Sequence, residues 1–341
     1  MSAFQIHLLG IGREYVKRYQ FTDQMRLLVE LTITCLLLGC GTTNVKTGDQ
    51  IPADVRTEIS EIDQVVISSM HHGDLSILGP YMSEMLREAA GEGINRYLND
   101  AQRVVVDTNY SLLHEFFVTY ASTELPNTLQ SGGVTDEDFI FEFKTINKDA
   151  YISLILIEGE NDQHLITNIY GDYGGEWKLN TTQFRPYSIG GMTAPQYFNK
   201  AETQHEAGQL ALAKISMQLA QLCIKPCGYW TYRSEENIRE FGLTVTQDFE
   251  SNYSFPISIG DAEVFQISPQ LDKDGVVPII RFVTSHNLTD TLSLAAQRDV
   301  LVPKMDSLFP GIDEYPLFYL SAYNVMPDGQ TNPEHVELVS K

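Results

Sequence analysis

The chain has 341 residues, and its 45 acidic side chains outnumber its 23 lysines and arginines, so the formal net charge at pH 7 is −22. This charge repels phosphate backbones and anionic lipid surfaces, which argues against nucleic acid as a partner. A hydrophobic content of 43%, with 10% aromatic residues, is enough for packed cores and excludes an intrinsically disordered chain. The length predicts about two domains.

The first distinctive segment is an apolar run at residues 27–38, which follows Arg26. The run has about 12 residues, too few for a bilayer that needs roughly 20, but this length is typical of the central part of a signal peptide. It ends in Leu37-Leu38-Gly39-Cys40, a stretch that resembles the lipobox of bacterial lipoproteins. In that family a signal peptidase cuts after the small residue, and the cysteine becomes the lipidated N-terminus. The alternative is a short buried helix that happens to end in Gly-Cys.

The lipobox resemblance implies a signal peptide over residues 1–39, lipidation at Cys40 and a lipidated tether over residues 40–52. The polar, mixed-charge start of the chain is atypical of a leader, so Met25 is a candidate for the true start. The cysteine is followed by Gly41 and not by aspartate, which in proteobacterial lipoproteins implies transport to the outer membrane. We therefore expect a lipoprotein of the cell envelope whose lipid anchor attaches it to the outer membrane, facing the periplasm.

Three helices are predicted after the tether. Apolar residues recur at helical spacing over 53–70, namely at Val55, Ile59, Ile62, Val65 and Val66. A second helix is predicted over 75–90, with Gly79-Pro80 as a point where it can split. A third, short helix is predicted over 94–100.

Strands are predicted next, because the following segments are rich in β-branched and aromatic residues. They cover 104–106, 114–120, 139–143, 151–157, 164–170 and a segment that begins at Trp177. The strands over 151–157 and 164–170 are predicted to form a hairpin, whereas residues 124–137 are predicted to be a turn-rich loop.

The order of these elements, helices first and then an antiparallel meander that closes on Gly175-Glu176-Trp177-Lys178-Leu179, resembles the cone-shaped fold of nuclear-transport-factor-two-like domains. The resemblance covers residues 53–190. It implies a curled sheet with helices packed into its concave side, leaving a pocket, and the family includes enzymes, small-ligand binders and interaction modules. The long region 104–137 departs from the compact members of the family. The alternative is a generic α+β domain.

Residues 194–241 are predicted to form a helical hairpin and a linker. Small residues fall close to the spacing of a tetratricopeptide hairpin, which this segment resembles; these are Ala201, Gly208, Ala213 and Ala220, followed by Pro226. Only one such unit is visible, whereas a solenoid needs at least about three. We therefore expect a single hairpin that bridges two domains, and the alternative is one long Ala-rich helix.

Two cysteines remain outside the leader and the lipobox, Cys223 and Cys227. In an oxidising envelope such a pair can form a local disulfide, and the alternative is two idle thiols. A redox motif has two residues between its cysteines, whereas this pair has three between them. Zinc needs about four ligands, and no histidine or further cysteine is grouped nearby. Neither a redox site nor a metal site is therefore predicted here.

The last part of the chain is predicted to be a second small α+β domain over residues 242–325, preceded by a short charged helix over 234–241. Its order is β-β-α-β, with strands over 262–268, 276–284 and 316–323 and a helix over 287–309. Residues 326–341 are rich in proline, asparagine and glycine and are predicted to be a loose tail. The fold class predicted for the whole chain is α+β: N-terminal helices with a curved antiparallel sheet, a helical hairpin and a C-terminal α+β domain.

The sequence holds one cluster that could carry chemistry, His71-His72-Gly73-Asp74. Polar residues that end a helix explain the cluster without any function, because His⁺ is favoured at a helix C-terminus and glycine stops a helix. If the domain has a cone pocket, its predicted lining is His72, Asp74, Tyr97, Glu158 and Tyr170. No catalytic residue, metal site or cofactor is predicted, since no esterase elbow, zinc-protease helix, phosphate loop or dinucleotide fingerprint occurs.

Three hypotheses for function follow from these features. The first is a lipid-anchored envelope protein that binds another envelope protein or a small ligand and performs no chemistry. The second is a cone-fold enzyme whose acid–base groups converge in the pocket, for example His72 or Asp74 with Glu158 or Tyr170. The third is a structural component of the envelope without a specific ligand. A deep pocket with converging polar groups would favour the second, and a filled core would favour the third.

Overall fold

The computed structural model describes residues 43–159, 161–272, 275–329 and 332–340. The predicted leader and the predicted lipid site at Cys40 lie outside these ranges. Within them the chain combines helices with three sheets, and the α+β class is confirmed. None of the helices in these ranges is long and apolar enough to cross a bilayer.

The N-terminal helices follow the apolar pattern of the sequence. Helix α1 spans Ala53–His72 and ends at Gly73, whose φ of 65° is the left-handed conformation that glycine adopts most readily. The helix predicted over 75–90 is broken where Gly79-Pro80 occurs, because proline supplies no N–H for a continuing helix. The pieces are α2 (Leu75–Leu78), a 3-10 turn (Gly79–Tyr81) and α3 (Glu84–Ala90), followed by α4 (Gly93–Gln102).

Eight strands form the two sheets that pack against these helices and against the helical hairpin that follows them in the chain. In chain order they are β1 (Asn44–Lys46), β2 (Tyr110–Thr119), β3 (Pro126–Gln130), β4 (Phe139–Lys144), β5 (Asp149–Glu158), β6 (Asp162–Asp172), β7 (Trp177–Ile189) and β8 (Trp230–Tyr232). The main sheet has the order β1-β2-β5-β6-β7 with every pair antiparallel. The small sheet has the order β3-β4-β8. The hairpin predicted over 151–157 and 164–170 is thus the β5–β6 pair.

Three local predictions in this region are wrong. Residues 104–106 form no strand; Val105 is instead buried beneath the helices, and its carbonyl accepts a hydrogen bond from His71 Nδ1 at 2.9 Å. The loop predicted over 124–137 contains β3, which pairs with β4. The tether predicted over 40–52 is folded from Asn44 onward, because β1 pairs with β2, a 3-10 turn follows at Gly48–Gln50 and Ile51 is buried.

The main sheet lies between two apolar layers. One face packs against α1 and α4 through a cluster that includes Ile59, Val66, Leu98, Ile155 and Ile166. The opposite face packs against the small sheet, the hairpin and the C-terminal sheet. Because both faces of β5 and β6 are covered, these strands read as nearly continuous buried segments.

The helical hairpin predicted within residues 194–241 is confirmed. Helices α5 (Ala194–Glu206) and α6 (Leu210–Cys223) are separated by Gly208, which has a φ of 75°, so the alternative of one long helix is wrong. A third helix, α7 (Glu235–Asn252), packs against α6 and extends well beyond the predicted 234–241. Its buried residues Ile238, Val245 and Phe249 continue the apolar face past that point. Cys223 and Cys227 are both buried free thiols, so the disulfide prediction is wrong.

The C-terminal part contains the predicted β-β-α-β series and adds one strand before it and one after it. Its elements are β9 (Ile257–Ile259), β10 (Ala262–Asp272), β11 (Gly275–Thr284), α8 (Thr291–Leu308), β12 (Leu317–Tyr323) and β13 (Glu334–Ser340). The sheet order is β13-β12-β11-β10-β9, and only the β11–β12 pair is parallel among the pairs described here, as expected for strands joined through a helix. The loose tail predicted over 326–341 is wrong for β13, which pairs along its whole length with β12 and buries Val339.

One apolar core joins these parts of the chain. It includes Ile152 of the main sheet, Phe141 of the small sheet, Leu212 of the hairpin and Ile280 of the C-terminal sheet. Residues from Thr43 onward accordingly form a single compact unit.

Candidate functional site

A row of polar side chains crosses the main sheet on the face that is covered by α1. Glu115, Ser153, Asn168 and Thr182 occupy directly opposed positions on β2, β5, β6 and β7. We call these four residues the polar row. Ser153 and Asn168 are completely buried, and burial of such groups costs free energy unless they are hydrogen-bonded. The row therefore requires partners from the helices.

Asp63 of α1 is the central partner of the polar row. Its Oδ1 accepts hydrogen bonds from Ser153 Oγ at 2.8 Å, Asn168 Nδ2 at 2.8 Å and Tyr170 OH at 2.6 Å. The side chain is 3% exposed. Burial raises the pKa of Asp63 to about 6, the three hydrogen bonds oppose this shift, and the nearby charge of Glu115 adds to it. An aspartate in this position titrates close to neutral pH.

Glu115 is held by an arginine and a tyrosine. Arg56 Nε lies 3.1 Å from Glu115 Oε1, and the Tyr151 hydroxyl donates a hydrogen bond to Glu115 Oε2. Burial and the adjacent carboxylate raise the pKa of Tyr151, so the phenol keeps its proton. The Arg56 Nη2 atom is buried and has no hydrogen-bond partner among the described residues. The arginine therefore has donor capacity to spare.

These groups line an open cleft of about 530 Å³ between α1 and β2. Helix α1 supplies Arg56, Ser60 and Glu61 to the walls, at spacings that place the first two on the same helix face. Strand β2 supplies Tyr110, Leu112 and Glu115, and Asp63 and Tyr151 are also part of the lining. With Asp63 ionised, three carboxylates face one guanidinium, so the cleft carries a net negative charge. We call it the Asp63 cleft.

The structure brings together only part of the predicted pocket lining. Tyr170 donates to Asp63, and Tyr97 contacts the other end of the polar row, where its hydroxyl lies 3.0 Å from Thr182 Oγ1. Burial raises the pKa of both tyrosines, which leaves them neutral at physiological pH. Of the five predicted residues, these two belong to the constellation around the polar row.

The other three predicted lining residues lie elsewhere. His72 is nine residues beyond Asp63, about 13 Å along a helix, and its Nδ1 donates to the Ser68 carbonyl. Asp74 caps α2 by accepting from Ser76 N. Glu158 is five residues beyond Ser153, about 17 Å along a strand, and accepts a hydrogen bond from Gln163. The predicted pairing of His72 or Asp74 with Glu158 is wrong, and helix-end roles account for the histidine cluster.

Asp63, Glu115, Arg56 and Tyr151 were absent from the sequence-based prediction of the site. The sequence does hold a signal for the first of these, because Asp63 interrupts the apolar face of α1 between Ile59, Ile62 and Val66. A carboxylate inside an otherwise apolar stripe indicates a buried polar partner or a functional group. The other three follow only from strand register and side-chain contact.

A second cavity lies at one end of the main sheet. This apolar groove of about 540 Å³ is lined by residues of the β3–β4 hairpin and of the main sheet, including Phe143, Ile146, Ile169 and Tyr229. It contains no grouping of titratable residues comparable with the Asp63 cleft. In the described ranges, no three His, Cys, Asp or Glu side chains come together in a way that could hold a metal ion.

Comparison of the chain with models of known protein families, with curated proteins and with solved structures found no match.

Proposed function

We propose that this protein is a lipid-anchored binding module of a bacterial cell envelope, attached through Cys40 to the outer membrane and facing the periplasm, and that it binds a small cationic ligand in the Asp63 cleft. The observation that carries the ligand class is the buried carboxylate Asp63, which lies beside Glu115 in a cleft with excess negative charge. The lipobox resemblance supports the anchor. The two parts of the proposal are independent of each other.

The hydrogen bonding of Asp63 favours a cationic group over a neutral one. All three hydrogen bonds go to Oδ1, and no donor reaches Oδ2 among the described residues. Burial makes the ionised form costly, which is why the pKa is raised. A ligand cation beside Oδ2 would stabilise that form, so part of the burial cost would return as binding free energy. An anionic ligand would meet three carboxylates.

The dimensions of the cleft suit a small molecule. A volume of about 530 Å³ lies within the usual range for ligand sites, which combine apolar walls with a few fixed polar groups. Tyr110 and Leu112 supply an apolar wall for an alkyl chain, whereas Asp63 and Glu115 supply fixed acceptors. A linear amine or guanidine of a few carbons matches this arrangement.

The ligand class is tested by titration calorimetry of the full-length chain with putrescine and agmatine, using 1,4-butanediol as the uncharged analogue. We expect the two cations to bind and the diol not to bind. Asp63→Asn should weaken binding at least about tenfold, which corresponds to about 1.4 kcal/mol. Glu158→Gln is the matched control, because it removes a carboxylate outside the cleft, and it should leave binding unchanged. Equal binding of diamine and diol would contradict the proposal, as would unchanged affinity in Asp63→Asn.

A second candidate function is favoured by one observation. Asp63 has a pKa of about 6, which suits a general base at neutral pH, and neutral tyrosines surround it. In that case the cleft would accept a proton from a bound molecule. Proton NMR in D₂O with aminoacetone, a small cation whose carbon-bound hydrogens next to the carbonyl are acidic, separates the candidates. A general base would speed the exchange of these hydrogens for deuterium in wild type over Asp63→Asn, whereas a binding module would not.

A further inference from the structure

The folded part of the chain begins close to the proposed lipid site. Asn44 is already paired with Thr119 at the end of β2. Cys40 precedes Asn44 by four residues, and an extended chain spans at most about 3.6 Å per residue, so a lipidated Cys40 must lie within about 14 Å of Asn44. Such an anchor keeps the end of the main sheet that holds Asn44 close to the bilayer.

Three loops share that end of the main sheet with Asn44. They comprise residues 120–125 after β2, 145–148 before β5 and 173–176 between β6 and β7. The strand register places them together, because Thr119 at the end of β2 lies opposite Asp149 at the start of β5. We call Asn44 and these three loops the β1 end.

Hydrogen bonds connect the three loops into one surface. Glu124 N donates to the Thr145 carbonyl at 2.8 Å, which joins the first loop to the second. Asn147 Nδ2 donates to the Asp172 carbonyl at 3.0 Å, which joins the second loop to the end of β6, where the third loop begins. The three loops of the β1 end are therefore neighbours.

Each of the three loops at the β1 end exposes one apolar or amphipathic side chain. Leu125 is 55% exposed, Ile146 is 39% exposed and Tyr173 is 43% exposed. A single exposed apolar residue is ordinary, whereas three lie here on hydrogen-bonded neighbouring loops, and we call these three side chains the apolar patch. Aliphatic side chains with a tyrosine suit the interface of a bilayer, where an apolar ring body and a polar tip are both accommodated. Ile146 also lines the apolar groove, so the patch continues into that cavity.

We propose that the β1 end lies against the membrane surface in the lipidated protein, with Leu125, Ile146 and Tyr173 in the lipid interface. This inference rests on the proposed lipidation of Cys40. It also orients the Asp63 cleft, which extends along β2 from Glu115, about 13 Å from Thr119, to Tyr110, about 30 Å from Thr119. The Tyr110 side of the cleft is thereby the side farther from the lipid, where a soluble ligand can enter.

The orientation is tested with single labels on the full-length, lipidated protein in vesicles of phosphatidylethanolamine and phosphatidylglycerol. Leu125→Cys and Ile146→Cys carry the fluorophore, and lipids with a spin label on the acyl chain act as quenchers. The native thiols of Cys223 and Cys227 are buried. We expect both labels to lose most of their emission. Val134→Cys is the control, because Val134 is 94% exposed and lies in the loop at the opposite end of the β3–β4 hairpin, and its label should keep its emission.

The outcomes separate this inference from the lipid anchor itself. Flotation of the protein with the vesicles and a lipid-bearing mass that is lost in Cys40→Ala establish the anchor. If the protein floats but the labels at 125 and 146 are quenched no more than the label at 134, the orientation is wrong and the anchor stands. If neither flotation nor a lipid mass is found, both the lipid anchor and the orientation are wrong, whereas the proposed cation site in the Asp63 cleft is not affected.

Discussion

Trp230→Ala is expected to lower the free energy of unfolding by about 3–5 kcal/mol, the usual cost of removing a large buried aromatic side chain. Trp230 is 1% exposed, and its ring stacks on Phe139 with centroids 3.7 Å apart. It also makes edge contacts with Tyr187 of β7 and Tyr232 of β8. The side chain thus connects the small sheet to the main sheet, and its loss would leave a cavity between them. Chemical denaturation followed by circular dichroism measures the change.

Trp230→Phe is the matched control for this substitution. It keeps an aromatic ring on Phe139 but removes Nε1, a buried donor with no hydrogen-bond partner among the described residues. An unsatisfied buried donor costs free energy, so its removal offsets part of the lost contact, and we expect a much smaller loss than for alanine. A loss below about 0.5 kcal/mol for Trp230→Ala, the usual range of surface substitutions, would contradict the packing of the two sheets described above.

Asp63→Asn is expected to stabilise the protein at pH 8 by as much as about 3 kcal/mol, the equivalent of the pKa shift from 3.8 to about 6. Above pH 6 the wild-type carboxylate is ionised in both states, and its burial costs free energy only in the folded state. Between pH 6 and 3.8 the folded state binds the proton more tightly than the unfolded state does, so this cost is relieved as the pH falls. Asparagine has no charge to bury, and its Oδ1 can accept the same three hydrogen bonds.

The advantage of Asp63→Asn should therefore shrink as the pH falls from 8 to 4. Denaturant midpoints of wild type and variant at pH 8 and pH 4 measure this advantage. The other carboxylates of this acidic chain contribute equally to both proteins, so their effect cancels in the comparison. Asp63→Ala is the contrasting variant: it removes the acceptor of Ser153, Asn168 and Tyr170, and each unsatisfied buried donor costs about 1–3 kcal/mol. It should destabilise at every pH. An Asp63→Asn variant less stable than wild type at pH 8 would contradict the raised pKa.

Prediction from sequence succeeded where the pattern is local. Helix α1 was predicted because its apolar residues repeat at helical spacing, and Gly73 ends it. The β5–β6 hairpin is predicted from two strand-like segments around a turn, and the α5–α6 hairpin from its resemblance to a tetratricopeptide unit; each is a pair of elements that are neighbours in the chain. The pattern of apolar and turn residues within a short stretch of sequence is enough to predict such elements.

Prediction failed where distant segments decide the structure. The Pro-Asn-Thr-Leu-Gln sequence of β3 has little strand character and predicts a loop, but pairing with β4 makes it a strand. The composition of residues 326–341 predicts a loose tail, but β12 provides a complete pairing partner for β13. In the opposite case, the valines of 104–106 have strand character but no partner strand in the described structure, and Val105 packs beneath helices instead. Tertiary contact overrides local preference in each case.

The candidate site depends almost entirely on such contacts. The partners of Asp63 lie 90, 105 and 107 residues further along the chain, at Ser153, Asn168 and Tyr170. Of these, only Tyr170 was predicted to line a pocket. The interruption of an apolar helix face by Asp63 was visible in the sequence, but the register that places Glu115, Ser153 and Asn168 in one row was not. His72, which the sequence analysis proposes for the pocket because histidine is a common acid–base group, lies instead at the end of a helix.

The pKa of Asp63 tests the central claim most directly. In the full-length chain with ¹³C-labelled aspartate, the Cγ shift of Asp63, assigned by its absence in Asp63→Asn, is followed against pH with and without putrescine. We expect a pKa of about 6 in the free protein and a lower value with the diamine bound, because a cation beside the carboxylate favours its ionised form. A pKa near 3.8 in the free protein, or a value that saturating putrescine leaves unchanged, would contradict the proposed cation site.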